Sequence, residues 1–258
     1  ETKIEKIFQS INDYSESSEI RYVGGCVRKI ISNDKVDDID LATNLNPNQV
    51  CEALKKNNID FFESGIEHGT ITAIINNQKF EITSLRDDLI TDGRHAKVSF
   101  SYDWKLDASR RDFTINSIYA DQDGNLFDPF DGKNDLKQGK IIFIGDPEKR
   151  IKEDYLRILR YLRFFHEYSK YKHDPKIIKI LKKNLNGLSK ISSDRLIDEL
   201  KKIISSKKFS ELISNKDSLE IISLIFPQLK NIHMFNKMNN YAKKNIGKMD
   251  FIFLICLM

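Results

Sequence analysis

The chain has 258 residues, of which 40% are hydrophobic and 31% charged, so it can bury a substantial core and form one large or two ordinary domains. No apolar run approaches the roughly 20 residues that span a bilayer, which excludes a transmembrane helix. Its three cysteines, Cys26, Cys51 and Cys256, form neither a disulfide framework nor a zinc-binding spacing. We therefore expect a soluble, cytoplasmic protein with no membrane partner.

Charge is unevenly distributed along the chain. The net charge of +4 combines residues 1–136, with 16 Lys+Arg and 25 Asp+Glu, and residues 137–258, with 26 and 13. The second half is a candidate polyanion-binding surface. Lysines that merely cover solvated helix faces are the alternative for the Lys-rich runs.

The first part of the chain mixes strand and helix patterns. Short β-type runs occur at 20–23, 71–75, 80–83 and 141–144, and Asp123-Gly124 predicts a hairpin turn. A helix is expected to start at Asn46-Pro47, a capping residue followed by proline. These patterns predict an α+β head with a mixed or antiparallel sheet.

Beyond Glu148 the strand patterns stop and apolar residues recur at helical spacing, as in Leu156, Leu159 and Leu162. We expect an all-helical region, with the boundary near Gly145-Asp146-Pro147. The predicted domains are therefore a head at 1–145 and a helical region at 146–258. The apolar run 251–258 predicts a core helix.

The most informative feature is the pair Asp38 and Asp40, shortly after Gly24-Gly25. On an extended segment, carboxylates two residues apart point to the same face and can share two divalent cations. The glycines allow a triphosphate to approach backbone amides at a helix start. A solvated turn is the alternative for either motif alone. Glu81, on a candidate strand, is a possible third metal carboxylate or an ordinary surface residue.

A second block is Arg110-Arg111-Asp112-Phe113-Thr114-Ile115-Asn116. In it Arg111 could reach phosphates, and Asp112 could orient that arginine or a ribose hydroxyl; a local salt bridge at a helix end is the alternative. The loop Thr91-Asp92-Gly93-Arg94-His95 is polar, and we expect His95 to be solvated or near phosphate.

A third block places Asp154, Arg157 and Arg160 at intervals of three, with Arg163 next. We expect them on one stripe of the first long helix, where the arginines would repel unless an anion lies opposite. An ion pair on a solvated face is the alternative. Cytosine and adenine each present an exocyclic amine beside an unprotonated ring nitrogen, so a carboxylate and a guanidinium can bind both. Uracil and guanine reverse this order and would leave groups unpaired.

Taken together, the motifs resemble those of the class II tRNA nucleotidyltransferases, the bacterial and mitochondrial CCA-adding enzymes, in the superfamily of DNA polymerase β. The resemblance is carried, in chain order, by Gly24-Gly25-Cys26-Val27-Arg28 with Asp38-Ile39-Asp40, Arg110-Arg111-Asp112-Phe113-Thr114-Ile115-Asn116, Asp128-Pro129-Phe130-Asp131-Gly132, Glu153-Asp154-Tyr155-Leu156-Arg157 with Arg160, and Ile191-Ser192-Ser193-Asp194-Arg195-Leu196. It covers about residues 20 to 205. Lys29 and Asp194 depart from the family pattern, which usually has Asp and Glu there.

The resemblance implies a polymerase β-like head, then a helical neck and body. It implies Asp38 and Asp40 as Mg2+ ligands, Gly25 and Arg28 as triphosphate contacts, and Arg111 as a further nucleotide contact. It also implies a protein template that pairs with CTP and then ATP. The template residues and their neighbours are Asp154, Arg157, Arg160 and Arg163, and the supporting residues are Arg94, Asp112, Asn116 and Arg195.

The implied reaction is template-independent addition of C, C and A to the 3′ end of tRNA by two-metal nucleotidyl transfer. The helical half would hold the acceptor stem by its phosphates. Within the superfamily, a poly(A) polymerase or an enzyme adding only CC or only A is the alternative. The Asp92-Gly93-Arg94 loop favours complete addition. An inactive RNA-binding module is an alternative of another class, disfavoured because a pure binder needs no acidic cluster near RNA.

Overall fold

The computed structural model describes residues 3–88, 98–239, 241, 245 and 249–257. The chain divides into two compact units, Glu1–Lys137 and Gln138–Met258. The boundary expected from the sequence, between residues 145 and 146, lies somewhat further along the chain. The assignment of a catalytic head and an RNA-binding region to these parts stays a prediction.

The first unit is built on a mixed sheet, as the sequence predicted. Its strands are β1 (Ile20–Val23), β2 (Asp40–Thr43), β3 (Asp60–Gly65), β4 (Thr70–Ile75), β5 (Gln78–Ser84), β6 (Arg86–Asp88), β7 (Val98–Phe100), β8 (Tyr119–Ala120) and β9 (Leu126–Phe127). Seven of them form a sheet in the order β3-β4-β5-β2-β1-β8-β9, while β6 and β7 pair separately. In the large sheet β2 and β5 run parallel, and the other neighbours are antiparallel.

Helices accompany this sheet. They are α1 (Lys3–Asn12), α2 (Gly25–Ile31), α3 (Pro47–Lys56), α4 (Trp104–Ser109) and α5 (Gly132–Gln138). The predicted start at Asn46-Pro47 is confirmed, because the Asn46 side chain accepts from the Gln49 amide and the Gln49 side chain accepts from the Asn46 amide. Apolar side chains of α1, α3 and the sheet form the main core of this unit.

The hairpin predicted at Asp123-Gly124 is also confirmed. Strands β8 and β9 pair antiparallel across it, with Tyr119 opposite Phe127. Gly124 has φ of 84°, in the left-handed region that glycine adopts without strain.

The second unit is helical throughout its described part. It contains α6 (Pro147–Glu153), α7 (Arg157–Tyr168), α8 (Pro175–Lys183), α9 (Ser193–Ile204), α10 (Phe209–Ser214), α11 (Lys216–Ile225) and α12 (Phe251–Leu257). Asp146 and Asp174 cap α6 and α8, and each is followed by a proline at the first helical position. Among the helices in the described ranges, none is long and apolar enough to cross a membrane.

One sequence prediction fails in this unit, and another is confirmed only in part. Residues 141–144 form no strand beyond a single bridging residue, because Phe143 and Ile144 are buried within a helical unit, where Phe143 stacks on Tyr161. The run at 251–258 does contain a helix, but only partly as a core element. Leu254 is buried, whereas Ile252 and Phe253 are exposed.

Candidate functional site

The two aspartates of the proposed metal site lie at the start of β2. Asp40 is the first residue of that strand, and Asp38 lies two residues before it on an irregular, exposed segment. In the register of the parallel pair β2–β5, Asp40 is directly aligned with Glu81. Aligned residues on neighbouring strands point to the same face, so Glu81 lies beside Asp40, as a third carboxylate would.

Carboxylate oxygens are the donors that Mg2+ prefers, so the residues present fit a divalent metal ion. Within the described ranges, no three His, Cys, Asp or Glu side chains are already gathered closely enough to form a complete ligand cage. Mg2+ commonly binds through one or two carboxylates together with substrate phosphates. The arrangement at Asp38 and Asp40 is of that open kind.

The glycine pair lies directly against this acidic strand start. Gly24 has φ of 66°, and α2 begins at Gly25. A Cβ atom at Gly25 would lie 3.8 Å from Asp40 Oδ2, and one at Gly24 would lie 3.5 Å from Arg111 Nη1. The structure therefore brings Asp40 and Arg111, which are far apart in the sequence, to the turn at Gly24-Gly25.

Arg111 is held by a buried polar cluster. Its Nη2 donates to Asp107 Oδ2 at 3.1 Å and its Nε to the Tyr119 hydroxyl at 3.0 Å, while that hydroxyl donates to Asp107 at 2.7 Å. Burial raises the pKa of Asp107, but the guanidinium groups of Arg111 and Arg110 outweigh burial and lower this pKa to about 2. Asp107 is thus ionised and orients the arginine.

Asp107 is therefore a carboxylate that holds Arg111, and the role of Asp112 in orienting Arg111 or a ribose hydroxyl stays a prediction. The Asp112 carboxylate accepts from the Phe113 amide and from Asn116 Nδ2, at 2.9 and 2.8 Å. Asn116 Oδ1 in turn accepts from Arg28 Nη1. Asp112 and Asn116 therefore support Arg28. Sequence reasoning missed Asp107, which lies on α4 four residues before Arg111. That spacing was a usable signal, because residues four apart on a helical turn are neighbours.

Asp154 does not lie on a long helix, so the predicted helical stripe is wrong. Helix α6 ends at Glu153, Asp154 has extended backbone with φ −151° and ψ 103°, and α7 begins at Arg157. Asp154 Oδ1 accepts from the Leu156 amide at 3.2 Å. Short aspartate side chains compete in this way with helical hydrogen bonds, which explains the break.

The two residues predicted to select the base each have a fixed ion-pair partner. Asp154 Oδ2 accepts from Arg195 Nη2 at 2.7 Å, and Arg195 lies on α9. Arg157 Nη1 donates to Glu153 Oε2 at 2.8 Å and to the Arg150 carbonyl at 2.7 Å. Arg195 thus lies beside Asp154, and its supporting role stays a prediction.

A close ring contact also fixes this break between the helices. The Tyr155 ring lies where a side chain at Gly187 would be, since a Cβ there would come within 1.9 Å of the ring. Only glycine leaves space for the tyrosine beside Asp154.

The next two arginines of the block have internal contacts. Arg163 is buried, and its Nε donates to the buried Glu199 at 2.6 Å. The guanidinium of Arg160 lies over the Phe164 ring at 5.4 Å. The expectation that these arginines require an external anion is therefore wrong for Arg163, whose charge Glu199 already balances. Arg94 and His95, predicted in a polar loop, lie outside the described residues.

Comparison with known proteins agrees with this geometry. The model of the poly A polymerase head domain matches residues 20–142, and that of a probable RNA and SrmB-binding site of polymerase A matches residues 171–232. The human mitochondrial CCA tRNA nucleotidyltransferase 1 is 42% identical over 228 residues, which cover 87% of this chain and 52% of that protein. The CCA-adding enzyme of Lactobacillus johnsonii is 36% identical over 187 residues, covering 72% and 46%.

A solved structure supports the fold. The CCA-adding enzyme of Bacillus stearothermophilus in complex with CTP aligns with a TM-score of 0.73 at 24% identity, covering 88% of this chain and 55% of that one. The chain spans about half the length of the curated relatives it matches.

The mixed sheet carrying two aspartates beside a glycine turn, followed by a helical unit, defines a nucleotidyltransferase head with its helical extension. The chain belongs to the family of class II tRNA nucleotidyltransferases, the CCA-adding enzymes. Membership implies the use of divalent metal ions.

Proposed function

We propose that the protein adds C, C and A to the 3′ end of tRNA, using CTP and ATP and releasing pyrophosphate. The observation that carries this proposal is the meeting of Gly25, Asp40 and Arg111 at the start of β2. That meeting combines the groups that a metal-bound triphosphate requires, namely a carboxylate, a cation and a backbone turn without side chains.

Asp38 and Asp40 would hold two Mg2+ ions, with Glu81 as a possible third carboxylate. When bound, such ions favour deprotonation of the RNA 3′-hydroxyl and withdraw charge from the α-phosphate and the leaving pyrophosphate. The protein contributes fixed positions for the reacting groups, because phosphoryl transfer depends mostly on positioning and charge stabilisation.

Arg28 and Arg111 bind the triphosphate in this proposal, and Gly25 allows it to approach the backbone. Both guanidinium groups are fixed by hydrogen bonds to buried residues, Arg28 by Asn116 and Arg111 by Asp107. A cation that is already oriented loses little conformational entropy when it binds an anion.

Asp154 and Arg157 select the base, because together they match the amine and ring nitrogen shared by cytosine and adenine. A carboxylate oxygen accepts more than one hydrogen bond, so Asp154 can accept a base amine while it stays paired with Arg195. We assign Arg195 the role of positioning Asp154, with Arg160 and Arg163 beside them and Arg94 in support. The excess of positive charge in residues 137–258 would hold tRNA through its phosphates.

A single assay separates the proposal from its alternatives. The protein is incubated with Mg2+ and a tRNA that lacks its 3′-terminal CCA, with CTP, ATP or both, and the products are sized. We expect addition of two nucleotides with CTP alone and of three with both. Addition that stops after CC, addition of A alone, or a long A tail would identify a partial enzyme or a poly(A) polymerase. No addition by a protein that still binds tRNA would identify an inactive binding module.

We further propose that the protein works in a reducing compartment, the cytoplasm, consistent with its three free cysteines. The human relative is mitochondrial by name. Imaging of the tagged full-length protein in its own cell distinguishes the two locations.

A further inference from the structure

The helical unit contains a cavity of about 340 Å³ that the proposed reaction does not use. Its walls come from residues 140–147, from the end of α7 and from the segment that leads into α8. None of the residues that line it is among those assigned above to the metal ions, the triphosphate or the incoming base.

Aromatic rings form much of the wall. Phe143 and Tyr161 stack with ring centroids 5.7 Å apart and an angle of 12° between their planes, and Phe165 lies 5.6 Å from Tyr161. Tyr171 lines the same cavity and is 58% exposed. The three buried rings therefore form an apolar floor, and Tyr171 is the ring among these four that is available from solvent.

Two lysines at the cavity add positive charge. Lys140 and Lys172 both line it and are exposed, and neither forms an ion pair within the part of the chain that the structure describes. Asp174 also lines the cavity, where its carboxylate accepts from the Lys176 amide at the start of α8. The balance of charged side chains at the cavity is thus positive.

The two segments that carry these lysines are joined by the backbone. The Lys170 amide donates to the Gly139 carbonyl at 3.2 Å, and the Tyr171 amide donates to Ser169 Oγ at 3.1 Å. Gly139 has φ of 75°, and a Cβ there would come within 3.0 Å of the backbone of Lys170 and Tyr168. Lys140 and Lys172 are therefore held on a connected frame and not on independent loops.

We propose that this cavity binds one unpaired nucleotide of the RNA substrate, with its base against the exposed ring of Tyr171 and its phosphate beside Lys140 and Lys172. Aromatic rings next to cations are the usual means of binding single-stranded RNA without reading its sequence. The volume of about 340 Å³ is sufficient for a single base. The inference rests on the proposed function, because that function makes RNA the substrate.

The test measures binding of a tRNA that lacks its 3′-terminal CCA to the full chain. The variants are Tyr171→Ala, Tyr171→Phe and the double variant Lys140→Ala/Lys172→Ala. A second double variant, Lys176→Ala/Lys179→Ala, is the matched control, because it removes the same charge from exposed positions of α8 that do not line the cavity. The Kd is measured at several salt concentrations, together with the maximal rate of CTP addition at saturating tRNA.

We expect Tyr171→Ala to raise the Kd for tRNA about tenfold, as removal of one stacking ring does elsewhere, and Tyr171→Phe to bind like the wild type. The cavity lysine variant should weaken binding more than its control and reduce the slope of log K against log salt by about 0.7 for each phosphate that is no longer neutralised. The maximal rate of CTP addition should stay within about twofold, because the cavity does not touch the reacting atoms.

Equal affinities for Tyr171→Ala and the wild type would overturn the inference, as would equal losses in the two lysine double variants. A loss shared by Tyr171→Phe would exclude stacking. Failure of the proposed function is distinguishable: a wild-type protein that binds tRNA through this cavity and adds no nucleotide would refute the activity and leave the cavity assignment standing.

Discussion

Two charged groups of the candidate site, one in each unit, are held in different ways. In the first unit Arg111 is held by Asp107, a carboxylate that is 1% exposed, and by the buried Tyr119. In the second, Asp154 is held by Arg195, whose side chain is 51% exposed. A buried pair is costly to rearrange, whereas an exposed pair contributes little and can reorganise. Such a difference suits the roles proposed above, in which Arg111 binds an invariant triphosphate and Asp154 binds two different bases.

The largest effect is expected from the carboxylates of the first unit. Asp40→Asn should lower the rate of nucleotide addition at least about a thousandfold, or about 4 kcal/mol of activation free energy, because metal binding is lost. Binding of tRNA should change less than about twofold. Asp37→Asn is the matched control, since Asp37 lies in the same segment and forms an exposed pair with Lys29. Equal rates for Asp40→Asn and this control would remove the metal assignment.

The next effect tests the contrast in burial. Asp107→Asn leaves two largely buried arginines without their carboxylate and should lower the free energy of unfolding by about 3 kcal/mol. Urea unfolding followed by the fluorescence of Trp104, the single tryptophan, measures it in the first unit. Glu153→Gln, which removes an exposed carboxylate of the second unit, should cost at most about 1 kcal/mol, measured by far-UV circular dichroism. Similar losses in both would abolish the contrast.

The units should also differ in their response to acid. His166 and His173 both contact Ser218 Oγ, at 2.8 and 2.9 Å, and burial lowers the pKa of each to about 4, with the charge of His173 adding to the effect on His166. Unfolded histidines take up protons near pH 6.5, so stability of the second unit should fall by at least about 2 kcal/mol as the pH drops from about 6.5 to about 4.

Asp107 acts at lower pH. Its folded pKa of about 2 lies below the unfolded value, so its contribution is present above about pH 4 and is lost as the pH falls toward about 2. Between about pH 7 and about pH 5, the melting temperature from circular dichroism should therefore fall more than that from Trp104 fluorescence. Equal shifts by both probes would contradict the assignment of the histidine pair as the acid-sensitive element.

The smallest effect concerns the exposed pair at the helix break. Arg195→Ala should reduce the preference for CTP over UTP about tenfold, or about 1.4 kcal/mol, because Asp154 loses its orienting partner. Arg195→Lys should restore part of this preference. If Arg195→Ala lowered the maximal rate without changing the preference, the role of Arg195 would be to stabilise the fold and not to orient Asp154.

The fold followed from local patterns more readily than the site did. The capping sequence at Asn46 and the Asp123-Gly124 turn are decided by neighbouring residues, and both predictions are confirmed. The β-type run at 141–144 instead has a backbone that is largely not strand. Its Phe143 packs on Tyr161, a residue that follows later in the chain and that the local pattern does not include. Tertiary packing there outweighed propensity.

In the candidate site, too, some features depend on neighbouring residues and others on residues that are distant in the sequence. The spacing of Asp38, Asp40 and the glycine pair predicts a metal and triphosphate site, whereas the placement of Glu81 beside Asp40 needed the strand register. Helical periodicity placed Asp154 on a stripe with Arg157, but a single side-chain hydrogen bond to the Leu156 amide accompanies a helix break there. Periodicity describes a regular helix and does not indicate where an aspartate side chain that bonds to a nearby backbone amide interrupts it.

The central claim is that the first unit supplies the chemistry and the second selects the base. The most direct test is the single-turnover rate of CTP and of UTP addition to tRNA lacking its 3′-terminal CCA, for the wild type and Asp154→Ala. The account predicts a fall of about a hundredfold in the CTP-to-UTP ratio, with the maximal rate for CTP nearly retained. An unchanged ratio in Asp154→Ala would contradict it.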